Sequence, residues 1–294
     1  SALAPLNPIR GLISFGDFGS NIRTLLDGHV YRMATVPRWY VPTYLVIKVP
    51  LLMLAGTALA LAFAAIPGLA SETSSDRRRR DVALIWFVAF FPLICEAAAH
   101  GPAFCGLRHF LFVLPPLAVL TGVGLDAALS QATAWRRPLA AALMAVIVAG
   151  FSWNALTLYR LHPYEYIVYN PLVGGLSGAS RRYAMDYWAT MMPEAVDGLE
   201  SYLAKTEPLA SRDPHHTYTV AFCGERAAFV KKAKPHLHWA MVWETADFFI
   251  APTHMNCDRA LDGTVISTIS RLGVRIGVVK DRRALVQKAI AGAR

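Results

Sequence analysis

The sequence is poor in charge. Asp, Glu, Lys and Arg make up 17% of its 294 residues and hydrophobic residues 55%, whereas an ordinary soluble domain carries about a quarter charged. Mean hydropathy is +0.37. It has only four cysteines, none spaced Cys-x-x-Cys, which excludes the common zinc layouts. Residues Ser1 to Gly28 lack a basic stretch followed by an apolar core, so they are not a signal peptide. They read as the middle of a longer chain. Acidic residues are outnumbered, 20 against 29 basic, for a net charge of +9. The arginines flank apolar runs, as topology signals do, and do not form the basic stripe of a nucleic-acid binder.

What the sequence has is long apolar runs. A bilayer core about 30 Å thick needs about 20 apolar residues in a helix. Val49 to Ser71 carries no charge, and Tyr44–Ala70 is the first expected span. Val82–Ala99 is the second, with Glu96 near its end. Leu107–Leu129 is the third, with Arg108 and Asp126 near its ends. Pro138–Tyr159 is the fourth and is uncharged. Pro50, Pro92, Pro115 and Pro116 lie within these runs, where neighbouring helices can satisfy the freed carbonyls.

Arginine sets the direction. Arg77, Arg78, Arg79 and Arg80 follow the first span, and Arg136 and Arg137 follow the third. The stretch from His100 to Gly106 has neither Lys nor Arg. By the positive-inside rule the first and third loops are cytoplasmic. The N-terminal segment and everything after Arg160 are then extracytoplasmic. Tyr40, Tyr44, Trp153 and Tyr159 suit interfacial aromatic belts.

Beyond Leu161 the composition changes. Asn170-Pro171 and Gly174-Gly175 are turn signals. Tyr183, Tyr187, Met191, Ala195 and Leu199 recur at helical spacing and predict a helix over 181–205, weakened by Pro193 and Gly198. Residues 217–222, 246–251 and 273–279 read as strands, and 225–233 and 281–291 as helices. The expected architecture is an α-helical multi-pass membrane region of about four transmembrane helices followed by a small α/β extracytoplasmic domain. Its divisions are an extracytoplasmic segment at 1–43, the membrane region at 44–159 and the outer domain at 160–294.

Cys223 ends one expected strand and Cys257 follows another, so the two are a disulfide candidate in an oxidising compartment. Cys95 and Cys105 are a second pair to consider. His215-His216 and His236-x-His238 have no carboxylate or cysteine partner at ligand spacing and read as solvated loop histidines, so no metal site is expected. Gly174-Gly175-x-x-Gly178 lacks the strand, helix and downstream acid of a dinucleotide loop.

Ionisable groups within membrane helices are costly and often functional. Lys48, Glu96, His100, Arg108 and His109 all fall at the outer ends of the spans. A cationic pair there would hold a phosphate or pyrophosphate, with arginine as a bidentate partner. The competing reading has Lys48 and Arg108 reaching for headgroups while Glu96 pairs with one of them. For Lys48 both readings stand; for Arg108 and His109 the functional one is favoured, because they adjoin a charge-poor loop.

The stretch Arg108-His109-Phe110-Leu111-Phe112-Val113-Leu114-Pro115-Pro116-Leu117-Ala118 resembles a membrane span of bacterial glycosyltransferases of the dolichyl-phosphate-mannose-protein mannosyltransferase type, GT-C superfamily and family 39-like. Residues Pro37 to Pro42 and Leu45 to Pro50 resemble the approach to another span of that family. His162-Pro163-Tyr164, Tyr169-Asn170-Pro171-Leu172-Val173-Gly174-Gly175 and Asp186-Tyr187-Trp188 resemble its "H-P … Y-N-E-L-V-G-G … D-Y-W" stretch. Ala246 to Ala251 and Met255 to Asp258 are similar to the end of its outer domain. The resemblance runs from about Arg38 to Arg282.

It implies sugar transfer from a polyprenyl-phosphate donor, on the outer face of a bacterial inner (cytoplasmic) membrane, to a protein, lipid or glycan acceptor. Lys48, Glu96, His100, Arg108 and His109 are the candidate substrate-binding residues. The implied partners are the bilayer, the lipid-linked sugar and further membrane segments or subunits; nucleic acid is not among them, and no other cofactor is evident. The family keeps its catalytic acid in the first outer loop of a longer chain, so this part is expected to be inactive alone. The alternative is a non-enzymatic, membrane-anchored outer module or a subunit of a larger complex.

Overall fold

The computed structural model describes residues 22–65, 76–99, 103–207 and 216–292. The chain divides into two compact units. One comprises Ser1–Tyr159 with Val168–Gly175, the other Arg160–Ile167 with Leu176–Arg294. The short stretch 168–175 therefore belongs with the apolar helices, not with the sheet-containing unit that surrounds it in sequence.

The first unit opens with a hairpin of β1 (Arg23–Leu26) and β2 (His29–Arg32), paired Arg23 to Arg32 and Leu26 to His29. Its two turn residues, Asp27 and Gly28, both have positive φ (48° and 80°), as a two-residue hairpin turn that follows the strand twist requires. An Asp-Gly pair between short strands is a readable signal that the pattern of apolar runs passes over. The hairpin is tied down by tyrosines. The Tyr40 hydroxyl lies 2.6 Å from the Thr24 hydroxyl and accepts the Gly106 N–H at 2.8 Å, and the Tyr44 hydroxyl donates to the Leu25 carbonyl at 2.6 Å. Both tyrosines are fully buried. They are core residues here, not the interfacial belt expected from their positions before the first apolar run.

The first expected span is broken. Its described part forms α1 (Tyr40–Lys48) and α2 (Leu51–Ala65), bent by 111° at Val49 and Pro50. Val49 is extended, at φ −74° and ψ 137°. A proline disfavours helical backbone in the residue before it and has no N–H to continue the ladder. The other runs are continuous. Helix α3 (Asp76–Ala99) carries Pro92 inside it. A 3-10 turn at Arg108–Val113 leads into α4 (Leu114–Trp135). Pro115 and Pro116 therefore fall in the first turn of α4, where no intrahelical N–H is needed. Helix α5 (Arg137–Leu161) follows after the single extended residue Arg136. Among the described residues, three stretches, Arg79–Ala98, Arg108–Trp135 and Arg137–Leu161, are long and apolar enough to cross a membrane, and the bent α1–α2 pair would make a fourth.

Helices α2 and α4 pack most closely. A Cβ at Gly124 would strike the Gly56 carbonyl and stand 2.6 Å from the Ala60 nitrogen, and one at Gly56 would be 2.7 Å from Thr121 Cγ2. The single Thr121 hydroxyl proton is shared between the Leu117 and Met53 carbonyls, 2.8 and 2.9 Å from Oγ1. Small residues with hydroxyls across the contact are how apolar helices associate when burial alone drives them weakly.

The second unit is built on a five-stranded sheet in the order β4-β3-β5-β7-β6: β3 (Tyr218–Phe222), β4 (Leu237–Trp239), β5 (Phe248–Pro252), β6 (Thr264–Arg271) and β7 (Val274–Asp281). Strands β4, β3 and β5 are parallel; β7 and β6 run antiparallel to their neighbours. Every residue of β5 is buried, as a central strand covered on both faces requires. A five-residue helix α6 (Gly175–Ala179) starts at the boundary of the units, and α7 (Met192–Thr206) packs on β6 and β7, with Gly198 against Ser267 and Met191 against Gly277. Helix α8 (Arg226–Lys232) joins β3 to β4, and α9 (Arg283–Gly292) follows β7.

The helix expected over 181–205 is shortened to α7. The Asp186 carboxylate takes the backbone N–H groups of Thr190 and Met191 at 2.8 and 2.9 Å, and Ala189 turns to φ 51°. Pro193, read as a weakness, sits in the first turn. Strands β4 and β6 went unread. Cys223 and Cys257 form a disulfide with Cα atoms 6.6 Å apart. Cys95 and Cys105 are not bonded to each other; both are free thiols. His216 is exposed and outside any helix or strand, as expected, and His238 is exposed but lies in β4. His236 is not solvated in a loop, since its Nε2 faces Glu200 at 3.1 Å, and His215 is outside the described residues.

Candidate functional site

Lys48 ends α1, and its ammonium lies 4.1 Å from the centre of the Tyr169 ring. A cation over a tyrosine face is held electrostatically while its stem packs on apolar surface. The neighbouring residue, Asn170, closes the helix break. Its Nδ2 donates to the carbonyls of Val46 and Val49 at 2.6 and 2.7 Å, and its backbone N–H donates to Ile47 at 2.9 Å. The last carbonyls of a helix have no partner of their own, and one asparagine from 121 and 124 residues away satisfies two of them. Asn170 is in turn fixed by the Leu172 N–H on its Oδ1 and by the Gly175 N–H on its carbonyl, both at 3.0 Å. Gly174 takes the left-handed φ of 80° that this turn needs.

Arg108 and His109 share one ring. The Arg108 guanidinium is 5.3 Å and the His109 ring 4.4 Å from the centre of Phe104, itself buried. The turn that carries them is pinned at Gly106 by Tyr40, and Cys105 and Gly106 both have positive φ. His109 Nε2 is buried with no hydrogen-bond partner among the described residues. Glu96 is buried in the last turn of α3, a helix that packs on both α1 and the Arg108–Val113 turn. Thus the helix bearing Glu96 touches the elements that bear Lys48 and Arg108, while the two cations rest on different rings. His100 lies outside the described residues.

The second unit holds a buried polar cluster that the expected site did not include. Asp186 is fully buried. Besides the two N–H groups it takes the proton of the Tyr166 hydroxyl, whose oxygen lies 3.0 Å from the Thr190 hydroxyl. Burial pushes the Asp186 carboxyl above its usual range, against the pull of the Tyr166 bond, and burial together with Asp186 pushes the Tyr166 phenol up. His254 Nδ1 accepts the Met185 N–H at 3.3 Å, and burial lowers its pKa to about 4. Arg181 grips Asp258 with both terminal nitrogens, at 3.1 and 2.7 Å, and Asn256 at 2.7 Å. Asp186 was legible only as part of a short motif; nothing local signals that its carboxylate would hold the backbone four and five residues on.

Comparison with protein-family models, curated proteins and solved structures finds no match to this chain.

Proposed function

We propose that the chain is the C-terminal, donor-binding part of a membrane glycosyltransferase that takes its sugar from a polyprenyl-phosphate on the outer face and passes it to a protein, lipid or glycan. The observation that carries this reading is a pair of cations each seated on an aromatic ring, Lys48 at the break between two apolar helices and Arg108 in the 3-10 turn that leads into a third. Irregular backbone at membrane depth is tolerated where it is covered by protein or lines a cavity. Cations at such a place suit a phosphate. Arg108 would stabilise the departing lipid phosphate as its charge develops. Lys48 adds a point charge, and His109, with its buried Nε2, adds a further polar group beside Arg108. Glu96 and His100 complete the proposed set. A carboxylate elsewhere in the intact enzyme would act as general base on the acceptor.

The proposed orientation puts residues 76–80 and 136–137 in the cytoplasm and the sheet-containing unit outside, from the distribution of arginine. In a Cys95→Ser, Cys105→Ser background, a cysteine at Ser74 is then shielded from an impermeant thiol reagent, and one at Ser211 reacts; the reverse pattern overturns the orientation.

The binding test uses radiolabelled undecaprenyl-phosphate hexose and the full-length protein in detergent. Arg108→Ala weakens retention about tenfold or more, equivalent to about 1.4 kcal/mol. Arg108→Lys keeps the charge, loses the fork, and recovers part of it. Equal retention by wild type and Arg108→Ala sinks the reading.

A further inference from the structure

The segments 181–191 and 253–258 of the second unit are held in unusual backbone. Arg181, Ala189, Met255 and Asn256 all have positive φ, between 50° and 63°. Non-glycine residues persist there only when their surroundings over-determine them, and such residues gather at functional sites. The restraints are explicit. Asp186 ties Tyr166, Thr190 and Met191 together. The Met185 N–H is bonded to His254, the Arg181 fork joins one segment to the other, and the disulfide holds Cys257 to the end of β3.

What these restraints present is a set of rings. Tyr187 is their centre, with Tyr166 at 5.3 Å edge-on, Trp188 at 5.9 Å and His254 at 6.3 Å edge-on. Trp188 is 47% exposed, and Tyr166, Tyr187 and His254 are half-buried. With Nδ1 accepting a backbone N–H, the neutral His254 ring carries its proton on Nε2 and is a donor there. Asn256 is exposed beside it, with its Oδ1 directed to Arg181 and its amide nitrogen a further donor.

We propose that Tyr187, Trp188 and His254 form a saccharide-binding surface that stacks one face of a neutral pyranose on the aromatic rings and takes its hydroxyls on His254 and Asn256. The chemistry of the surroundings selects this class. The charges at Asp186, Arg181 and Asp258 are already joined to partners within the cluster, so an ionic ligand finds no counter-charge in them. A wholly apolar ligand would cover the His254 N–H without replacing its hydrogen bond, which is costly. A pyranose has one face of C–H groups and a rim of hydroxyls, and matches both features. Rigid aromatics bind with little loss of conformational freedom, and a platform already locked by hydrogen bonds and a disulfide loses less still. By contrast, a groove of about 580 Å³ lined by Tyr202, Thr264, Asp281 and Arg283 has its guanidinium engaged by Asp281 and Glu207. Saccharide binding at the aromatic surface needs no sugar donor and stands apart from the transferase reading.

The test is equilibrium binding of four neutral probes, mannohexaose, maltohexaose, cellohexaose and chitohexaose, to the full chain in nanodiscs without polyprenyl phosphate. At least one binds saturably. Trp188→Ala weakens it about tenfold or more, whereas Trp188→Tyr retains part of the affinity and both variants keep wild-type thermal stability. No binding of any probe, or equal binding by Trp188→Ala, overturns the proposal. The rings' other possible occupant is the bilayer interface. It is tested by the emission difference between wild type and Trp188→Tyr in brominated and ordinary phosphatidylcholine nanodiscs. Equal differences support an aqueous saccharide surface, and quenching by bromine overturns it.

Discussion

Gly124 lies against the backbone of Gly56, with no room for a Cβ between the two helices that carry them. This is the tightest consequence of small residues in the apolar region, and it can be tested directly. Gly124→Ala places a methyl on the Gly56 carbonyl and the Ala60 nitrogen, both backbone atoms that cannot rotate away. It is expected to destabilise the helix pair by about 1–3 kcal/mol, read as a lower melting temperature in detergent. Gly122→Ala, at a position where a Cβ meets nothing within 4 Å, serves as the control and leaves melting unchanged. Equal melting of both variants would remove the close approach.

Asn170 closes the break after Lys48. Asn170→Ala leaves the carbonyls of Val46 and Val49 without the donor they have now, at a cost of about 1–3 kcal/mol for buried groups left unsatisfied. The effect is local, so hydrogen exchange should rise in residues 44–50 more than across α4. Uniform exchange across both segments would show that the asparagine does not hold the break.

The disulfide between Cys223 and Cys257 spans 34 residues. Restricting a loop of that size in the unfolded chain stabilises the folded one by about 3–4 kcal/mol on the chain-entropy account. Cys223→Ser should lower the unfolding midpoint of the sheet-containing unit by that order. A midpoint equal to wild type, under non-reducing conditions, counts against the bond.

His254 makes this unit sensitive to acid. Its pKa is depressed from 6.5 to about 4 in the fold, so the folded ring stays neutral while the unfolded ring protonates below 6.5. The stability held above pH 6.5 is therefore lost as pH falls toward 4, on the order of 3 kcal/mol for a shift of this size. Protection of the Met185 amide, corrected for intrinsic exchange, should fall over the same window. It should stay level in His254→Gln, whose side chain does not titrate. A wild-type amide with no such fall would contradict the buried neutral ring.

The broad plan was legible from local pattern. Uncharged runs about 20 residues long pointed to apolar helices, and three are continuous in the structure. The runs at 217–222, 246–251 and 273–279 became strands because β3, β5 and β7 are the middle of the sheet, where β3 and β5 are almost entirely apolar and β7 has a buried apolar centre, Ile276 to Val279. The edge strands gave no such signal: β6 is largely exposed and β4 is three residues long. Periodicity reports which face of an element is covered, and an edge strand is covered little.

The candidate site divides in the same way. The positions of Lys48, Glu96, Arg108 and His109 near the ends of apolar runs could be read directly, because charge stands out against an apolar background. Which ring each cation rests on could not. Tyr169 reaches Lys48 across 121 residues of chain, and Asn170 caps a helix that ended long before it. What the sequence alone determined is the set of apolar helices and buried strands, since burial leaves a local record in composition. Only the tertiary structure decided the break at Pro50 with its distant cap, the capture of backbone by Asp186 and the ring cluster around Tyr187, because hydrogen bonds between remote segments leave none.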